Sequence, residues 1–348
     1  MSRQATNKDM NKKVLLTGDR PTGKLHLGHY VGSLINRLKF QKEYQCFFII
    51  ADYQVLTDHL QDTKQVPQNV EEVILDWLSL GIDPGQSTFF IQSAVPQLAE
   101  LTMYFSMLVT IARLRRNPTI KSEAQNVRID SDKDNITYGF LGYPVSQAAD
   151  ILLFQPDIVP VGEDQLPHIE QTREIADKFN SLFGKTFKLP KALLSENSRL
   201  PGLDGKNKMS KSLNNAIYLS DSAEEVRKKV MTAYTDPTRI RATDPGHLEG
   251  NVVFTYLDVF HPNKKELNLL KEKYKQGKVG DVEVKKLLIE VLNEFLEPIM
   301  MRRKEFTKDK GYLKKIITAG CEQARATGEK TMQEVRKAVH YDYPGLLG

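Results

Sequence analysis

The chain of 348 residues contains 40% hydrophobic and 27% charged residues and carries a formal net charge of +5. This length leaves room for about two domains, and the composition is typical of globular proteins, without the run of about eighteen apolar residues that crosses a membrane. The two cysteines are too few for a disulfide framework or a cysteine-based zinc site, so we expect a cytoplasmic protein with no membrane partner and no structural metal.

The first residues are polar, and a short apolar run follows them. Residues 1–12 lack the apolar stretch of a secretory signal and are predicted to form a disordered lead-in. Residues 14–17, VLLT, predict a strand.

The segment that follows this strand, PTGKLHLGHYVG at residues 21–32, opens a helical pattern. A strand that breaks at glycines and leads into a helix points backbone N–H groups at an anion, and His26 and His29 add side-chain donors for phosphate oxygens. A P-loop is a competing interpretation, but Leu25 stands where a hydroxyl is required and Pro21 removes a backbone donor. A zinc site at the two histidines would lack a third ligand. We therefore predict a polyphosphate site.

Strand and helix patterns alternate through the N-terminal part of the chain. Strand-like runs recur at residues 46–51, 88–91 and 158–161, and amphipathic stretches lie at 66–80 and 165–183. This alternation predicts an α/β fold with a doubly wound, Rossmann-like parallel sheet. Ligands of such sheets bind beyond the C-terminal ends of the strands.

A second segment, Lys208-Met209-Ser210-Lys211-Ser212, lies in a loop rich in Gly, Asp and Asn. Two lysines three residues apart can place ammonium groups on a polyphosphate. The chain contains neither a G-x-S-x-G elbow nor an H-E-x-x-H motif. We therefore expect catalysis by positioning and charge neutralisation.

The C-terminal third reads as helical and basic. Helices are predicted at residues 222–234, 263–276, 281–304 and 310–339. Residues 264–337 contain 19 Lys and Arg against 12 Asp and Glu, a balance of +7. Such a balance is typical of a domain that contacts a polyanion, although amphipathic helices with a solvated face are an alternative.

The two segments resemble the signatures of class I aminoacyl-tRNA synthetases, and the chain from about residue 13 to its end resembles the bacterial tryptophanyl-tRNA synthetases. The resemblance implies a Rossmann-like catalytic domain at residues 13–221 and an α-helical, anticodon-binding domain at 222–348. It also implies a homodimer, formed near residues 97–143, whose substrates are L-tryptophan, the tRNA for tryptophan, and ATP with Mg²⁺.

The resemblance assigns roles to individual residues. The catalytic groups would be His26, His29, Lys208 and Lys211. The residues expected at ATP are Arg20, Pro21, Thr22, Gly28, His29, Gly162, Glu163, Asp164, Leu200, Lys208, Met209, Ser210, Lys211 and Ser212. Those expected at tryptophan are Tyr143, Gln147, Asp150, Val159, Val161 and Gln165, and Lys121 is a candidate pyrophosphate contact.

Asp150 is the residue expected to select the amino acid. It lies in a nearly apolar stretch, where a buried carboxylate needs a partner. By the resemblance it accepts the indole N–H, and a site built on that bond rejects phenylalanine. The alternative is an aspartate that caps a neighbouring element or pairs with an arginine.

Other assigned residues have ordinary structural explanations as well. Val159 and Val161 suit a core as well as a pocket wall, and the acids at 163 and 164 suit a helix N-terminus. Lys121 suits a solvated surface, and Asp52 is a further candidate for the rim of the site.

Two positions depart from the family pattern, and other functions stay open. Arg20 stands where many members carry Gln, and Gln54 where they often carry His.

The alternative functions are a tyrosyl-tRNA synthetase, a catalytically silent paralogue that binds tRNA or senses tryptophan, and a small-molecule nucleotidyltransferase. Arg302 and Arg303 are expected to contact tRNA phosphates.

Overall fold

The structure, a computed structural model, describes residues 12–57, 60–126, 136–194, 200–210, 213–239, 241 and 243–344. Its sheet has five parallel strands in the order β3-β2-β1-β4-β5. The strands are β1 (Val14–Asp19), β2 (Gln45–Ile50), β3 (Ser87–Ile91), β4 (Ile158–Val161) and β5 (Lys191–Leu194). The predicted parallel, doubly wound sheet is confirmed. β5 lies outside the predicted strands, because its four residues are mostly exposed and form no buried apolar run.

Helices cover both faces of the sheet. They are α1 (Leu27–His29), α2 (Ile35–Glu43), α3 (Val66–Leu80), α4 (Pro96–Ser106), α5 (Ile111–Arg115), α6 (Pro118–Asn126), α7 (Tyr138–Leu152), α8 (Leu166–Phe183), α9 (Ala223–Met231), α10 (Val252–Phe260), α11 (Lys264–Lys275), α12 (Asp281–Lys308) and α13 (Lys310–Ala338). A π-helical turn, Tyr30–Leu34, joins α1 to α2. Within the described residues, none of the helices combines the length and the apolar character needed to cross a membrane.

Several predicted helices agree with the structure, whereas α4, α5, α6, α7 and α10 had no predicted counterpart. α3 has its predicted bounds, and α12 continues through Pro298 to Lys308. α10 is apolar on nearly all sides, with five of its nine residues buried, so it lacks the polar face that marks an amphipathic helix. The predicted lead-in falls almost wholly outside the described residues.

The strands bury side chains on both faces, as central parallel strands do. Successive residues of β1 point to opposite sides: Leu15 packs in one apolar cluster with Phe48 and Trp77, and Leu16 packs in the other with Phe90. The first cluster continues into the C-terminal helices, where α12 packs against α3. The sheet and the helical part therefore share one core.

α13 crosses β3 at close range. A Cβ on Gly320 would lie 1.8 Å from the carbonyl oxygen of Phe89, so only glycine permits this approach. This contact fixes the C-terminal helix against β3.

Candidate active site

A cavity of about 940 Å³ opens at the C-terminal ends of β1, β2 and β4. Its lining includes residues 16–20 from β1 and the loop after it, residues 159–162 from β4 and the loop after it, and Tyr143, Gln147 and Asp150 from α7. This is the edge at which a doubly wound sheet binds ligands. A cavity therefore lies at the sheet edge where the alternation of strands and helices predicted ligand binding.

Asp150 lies at the wall of this cavity and is only 5% exposed. The side-chain amide of Gln92 donates to its two carboxylate oxygens, each at 2.8 Å, and Gln54 donates a further hydrogen bond. Burial raises the pKa of Asp150 to about 7, with Asp52 adding to the rise, while the two amide hydrogen bonds oppose it. The partners of this carboxylate are glutamines rather than the arginine considered from the sequence.

The other residues expected at tryptophan also meet in the cavity. Tyr143, Gln147, Val159, Val161 and Gln165 all belong to its lining. Ile151, Leu16 and Ile49 add apolar surface. The cavity thus combines apolar surface with the buried carboxylate of Asp150, an arrangement suited to a flat aromatic ring that carries one polar hydrogen.

A hydrogen-bonded chain fixes the Tyr143 hydroxyl. This group donates to the Glu123 carboxylate at 2.7 Å and lies 2.9 Å from His168 Nε2, and Asn117 Nδ2 lies 3.3 Å from His168 Nδ1. Burial lowers the pKa of His168 to about 4. The ring is therefore neutral at physiological pH, with Nε2–H facing Tyr143 and Nδ1 accepting from Asn117.

Asp19 and Arg20 place opposite charges at the C-terminal end of β1. Both line the cavity, but Asp19 is already paired: it accepts from Arg37 at 2.7 Å and from the indole N–H of Trp77 at 2.9 Å. Burial would raise the pKa of Asp19, yet Arg37, the nearby His29 and Trp77 lower it. Asp19 therefore stays ionised and bound within the protein, and Arg20 is the cationic side chain of the lining.

The two signature segments lie side by side. The backbone N–H groups of Leu27 and Leu219 donate to the carbonyls of Ile217 and Leu25, at 2.9 Å and 3.0 Å. These bonds tie the first segment to the chain that follows the second. The rings of His26 and His29 lie 3.8 Å apart, and the backbone N–H of His26 donates to His29 Nδ1 at 3.1 Å. Both histidines lie outside the lining of the cavity, and His29 is near enough to Asp19 of that lining to lower the pKa of its carboxyl.

Asn215 organises the second segment. Its Oδ1 accepts from the Ser210 backbone N–H at 2.7 Å, and its Nδ2 donates to the Lys208 carbonyl at 3.1 Å. Lys208 is exposed, whereas Met209 is buried against Gly28. Lys211 and Ser212, expected at ATP, lie outside the described residues.

The remaining predicted residues are spread around the cavity. Gly162 belongs to its lining, and Glu163 and Asp164 form a 3₁₀ turn with Gln165 before α8. Leu200 is buried in the core cluster, and Lys121 is exposed on α6, two residues from Glu123. Pro21 and Thr22 follow Arg20 outside the lining. In the part of the chain that the structure describes, no three His, Cys, Asp or Glu side chains are grouped to hold a metal ion.

Arg302 and Arg303 were expected to face tRNA, but both guanidinium groups bond to other parts of the protein. Arg303 pairs with the buried Asp76 and with Glu72, and Arg302 Nε donates to the Ser79 carbonyl at 2.6 Å. The two guanidinium groups hold α12 against α3. These bonds within the protein count against the expectation that the two arginines contact tRNA phosphates.

Sequence reasoning missed several groups that shape the site. Gln92 follows β3 at the same sheet edge, which is a usable signal for a site residue. Glu123, His168 and Asn215 had no such signal, because their partners are brought to them only by the packing of α6, α8 and the 200–219 region.

Comparisons with known proteins show the family of the chain. Residues 8–297 match the family model of tRNA synthetases class I (W and Y). A tryptophan–tRNA ligase of Clostridium longisporum is 51% identical over 339 residues, which cover 96% of this chain and 98% of that protein. One of Streptococcus pneumoniae is 50% identical over 342 residues, covering 96% and 99%.

A solved structure has the same fold along nearly its whole length. The tryptophanyl-tRNA synthetase of Campylobacter jejuni, crystallised with ADP and tryptophan, superposes with a TM-score of 0.84 at 32% identity, covering 94% of this chain and 99% of that one. A class I aminoacyl-tRNA synthetase is therefore the kind of enzyme that this fold and site define. Within this class the chain belongs to the bacterial tryptophan–tRNA ligases.

Proposed function

We propose that the chain binds L-tryptophan in the cavity at Asp150, activates it there with ATP, and transfers it to its tRNA. The observation that supports this most is the buried, hydrogen-bonded carboxylate of Asp150 at the wall of a cavity that also offers apolar surface from Val159, Val161 and Ile151. An indole presents one N–H to such an acceptor, whereas a phenyl ring would leave the carboxylate without that donor.

In the proposed complex the ring lies between the apolar walls, and the polar end of the amino acid faces the mouth of the cavity. Val159 and Val161 contact the ring, Asp150 accepts the indole N–H, and Gln147 borders it. Tyr143 and Gln165 offer oxygen atoms to the ammonium group. Arg20 attracts the carboxylate, and its permanent charge replaces the neutral amide found in many relatives.

ATP lies between the two signature segments in this proposal. An oxygen of the tryptophan carboxylate attacks the α-phosphorus, and the bond to the pyrophosphate leaving group breaks. His26, His29, Lys208 and Lys211 offset the negative charge that develops, and no covalent enzyme intermediate is required. Lys121 would meet the pyrophosphate, and Mg²⁺ arrives bound to ATP. The residues proposed around the rest of the nucleotide are Pro21, Thr22, Gly28, Gly162, Glu163, Asp164, Leu200, Met209, Ser210 and Ser212.

The tRNA is proposed to contact the C-terminal helices at residues 222–348. The excess of positive charge in this part of the chain supports the idea. With Arg302 and Arg303 used inside the protein, the candidates are exposed lysines where α12 meets α13, such as Lys304, Lys308, Lys314 and Lys315.

A homodimer through residues 97–143 is proposed as well. Met103, Met107, Ile111 and Tyr138 are 60%, 70%, 61% and 77% exposed, and several large exposed apolar side chains within one stretch of chain suit an interaction surface. The two cysteines are free and buried, which suits the reducing cytoplasm as the compartment.

ATP–pyrophosphate exchange with tryptophan, tyrosine and phenylalanine tests the proposal. We expect exchange that depends on tryptophan. Exchange with tyrosine instead would identify the tyrosine enzyme, and the absence of exchange with any amino acid, alongside binding of tRNA or tryptophan, would identify the silent paralogue. A failure to retain tRNA in filter binding would leave the nucleotidyltransferase alternative.

A further inference from the structure

Gln92 is a fully buried side chain that lies behind the cavity wall. It belongs to the turn Gln92–Ala94 after β3 and is 0% exposed. Its amide is used at both ends: Oε1 accepts from the Tyr53 backbone N–H at 3.0 Å, and Nε2 donates to both oxygens of Asp150 at 2.8 Å. Because a backbone N–H can only donate, the Tyr53 bond fixes which end of the amide faces Asp150.

Gln92 does not belong to the cavity lining, so it holds the Asp150 carboxylate from within the protein. An ionised carboxylate offers about four acceptor sites on its two oxygens. Gln92 and Gln54 occupy some of these sites, and the carboxylate also borders the cavity. A ligand that fits must therefore bring a donor.

We propose that Gln92, assisted by Gln54, is a positioning residue for the choice of amino acid: the two amides hold the Asp150 carboxylate ionised and oriented to accept an indole N–H. This inference rests on the proposed function. A neutral Asp150 would carry a hydrogen of its own, which opposes the ligand's N–H and weakens the selection that the site achieves.

The surroundings of Asp150 make these hydrogen bonds consequential. Burial brings its pKa to about 7, near the physiological range, and the amide hydrogen bonds keep it from rising further. The titratable and charged groups that face this region are Asp52, Asp19, Arg20, Glu123, Tyr143 and the Cys321 thiol beside Ile91. Asp52 disfavours the ionised form, and burial keeps the thiol neutral by raising the pKa of Cys321. The loss of one amide donor should therefore shift the balance toward the neutral acid.

The test is the pH dependence of KM for tryptophan in pyrophosphate exchange, between pH 6 and 8.5. For the wild type we expect KM to rise as the pH falls below about 7, where Asp150 gains its proton. In Gln92→Met the rise should begin about one pH unit higher, so that KM at pH 6 is about tenfold above the wild type. The value of kcat at saturating tryptophan should change much less. Gln54→Met should shift the profile in the same direction by a smaller amount.

Two controls separate positioning from general damage. Gln41→Met removes another buried amide, which bonds to Gly81 and Asp83 away from the cavity, and should leave the pH profile of KM as in the wild type. Asp150→Asn has no carboxyl to titrate, so adding Gln92→Met to it should produce no pH-dependent change.

The inference would be overturned if KM for tryptophan in Gln92→Met began to rise at the same pH as in the wild type. It would also be overturned if this KM were raised equally at every pH. If Gln92→Met does not fold, Gln92→Glu keeps the acceptor for Tyr53 and replaces the donor by an acid. It should then show a still larger upward shift, and a wild-type profile would count against the inference. Failure of the wild type to use tryptophan would instead contradict the proposed function.

Discussion

The backbone N–H of Gly28 lies 3.2 Å from the thioether sulfur of Met209, although the two residues are 181 positions apart. A Cβ at position 28 would lie 3.2 Å from this sulfur and 2.9 Å from ring atoms of His26. The absence of a side chain at Gly28 therefore lets the two signature segments meet. Because Met209 is anchored, Lys208 can extend into solvent from a fixed base beside the histidines.

Asp150→Ala tests the choice of amino acid. The activation free energy that corresponds to kcat/KM for tryptophan should rise by about 2 to 4 kcal/mol, because a hydrogen bond to a buried charge is lost. Discrimination against phenylalanine should shrink with it. Pyrophosphate exchange on both amino acids measures this, and circular dichroism must show a folded variant. A folded variant that keeps its preference for tryptophan would contradict the role of Asp150.

Lys208→Ala and Lys211→Ala test the second segment. Each should slow adenylate formation by about 100-fold, since a charge that stabilises the transition state is removed, with little change in tryptophan affinity measured by equilibrium dialysis. Lys206→Ala removes an exposed lysine of the same loop and serves as the control. Equal losses in rate and affinity would indicate a ground-state or structural contact instead.

Asn215→Ala should disorder the second segment without removing any proposed substrate contact. Its amide bonds to the backbone of Ser210 and Lys208, so we expect adenylate formation to slow by about tenfold to 100-fold through misplacement of the lysines. Asn215→Asp retains the acceptor for the Ser210 backbone N–H, so it should slow adenylate formation less than Asn215→Ala does. Burst kinetics of adenylate formation measure both variants, and identical losses would show that the Ser210 bond contributes nothing.

Arg303→Met should reduce stability rather than tRNA binding. Removing one partner of a buried ion pair costs about 3 to 5 kcal/mol, and Asp76 is 0% exposed. Urea unfolding measures the loss, and Lys304→Met, at an exposed neighbouring position, should change the free energy of unfolding by about 0.5 kcal/mol at most. An unfolding free energy like that of the wild type would contradict this role.

The same variant should show a pH dependence. Burial raises the pKa of Asp76 to about 6, above its unfolded value near 4, so ionising Asp76 costs stability as the pH rises through this interval. Arg303 offsets that cost only when Asp76 is ionised. The loss in Arg303→Met should therefore be larger at pH 7.5 than at pH 4.5, and an equal loss at both would assign it to packing alone.

Met107→Asp tests the proposed dimer. A charge at Met107, one of the exposed apolar residues of the proposed interface, should shift the protein from dimer to monomer in sedimentation velocity. Met301→Asp alters a methionine that is 61% exposed on α12 and should leave the dimer intact. A monomeric wild type, or a dimeric Met107→Asp variant, would contradict the assignment of this surface.

The sequence by itself determined the parallel sheet, most helices, the two signature segments and the prediction that Asp150 lies at the site. The sheet and the helices depend on spacing along the chain: apolar residues repeat with the period of a strand or a helix, and glycines interrupt them at a loop. The prediction for Asp150 came from the resemblance to the family. Residues that follow parallel strands necessarily meet at one edge of the sheet, which is why the cavity was predictable from the order of elements.

Only the tertiary structure decided which groups those residues meet. Nothing near Asp150 in the sequence indicates that Gln92, 58 positions away, holds its carboxylate. Likewise, nothing near Arg303 indicates that it pairs with Asp76, 227 positions away, instead of facing RNA. A basic residue on an amphipathic helix has the same sequence pattern around it whether it pairs within the protein or faces RNA. Its role is set by which helix packs against it, because burial next to a carboxylate determines whether its charge is used within the protein or left exposed to a polyanion.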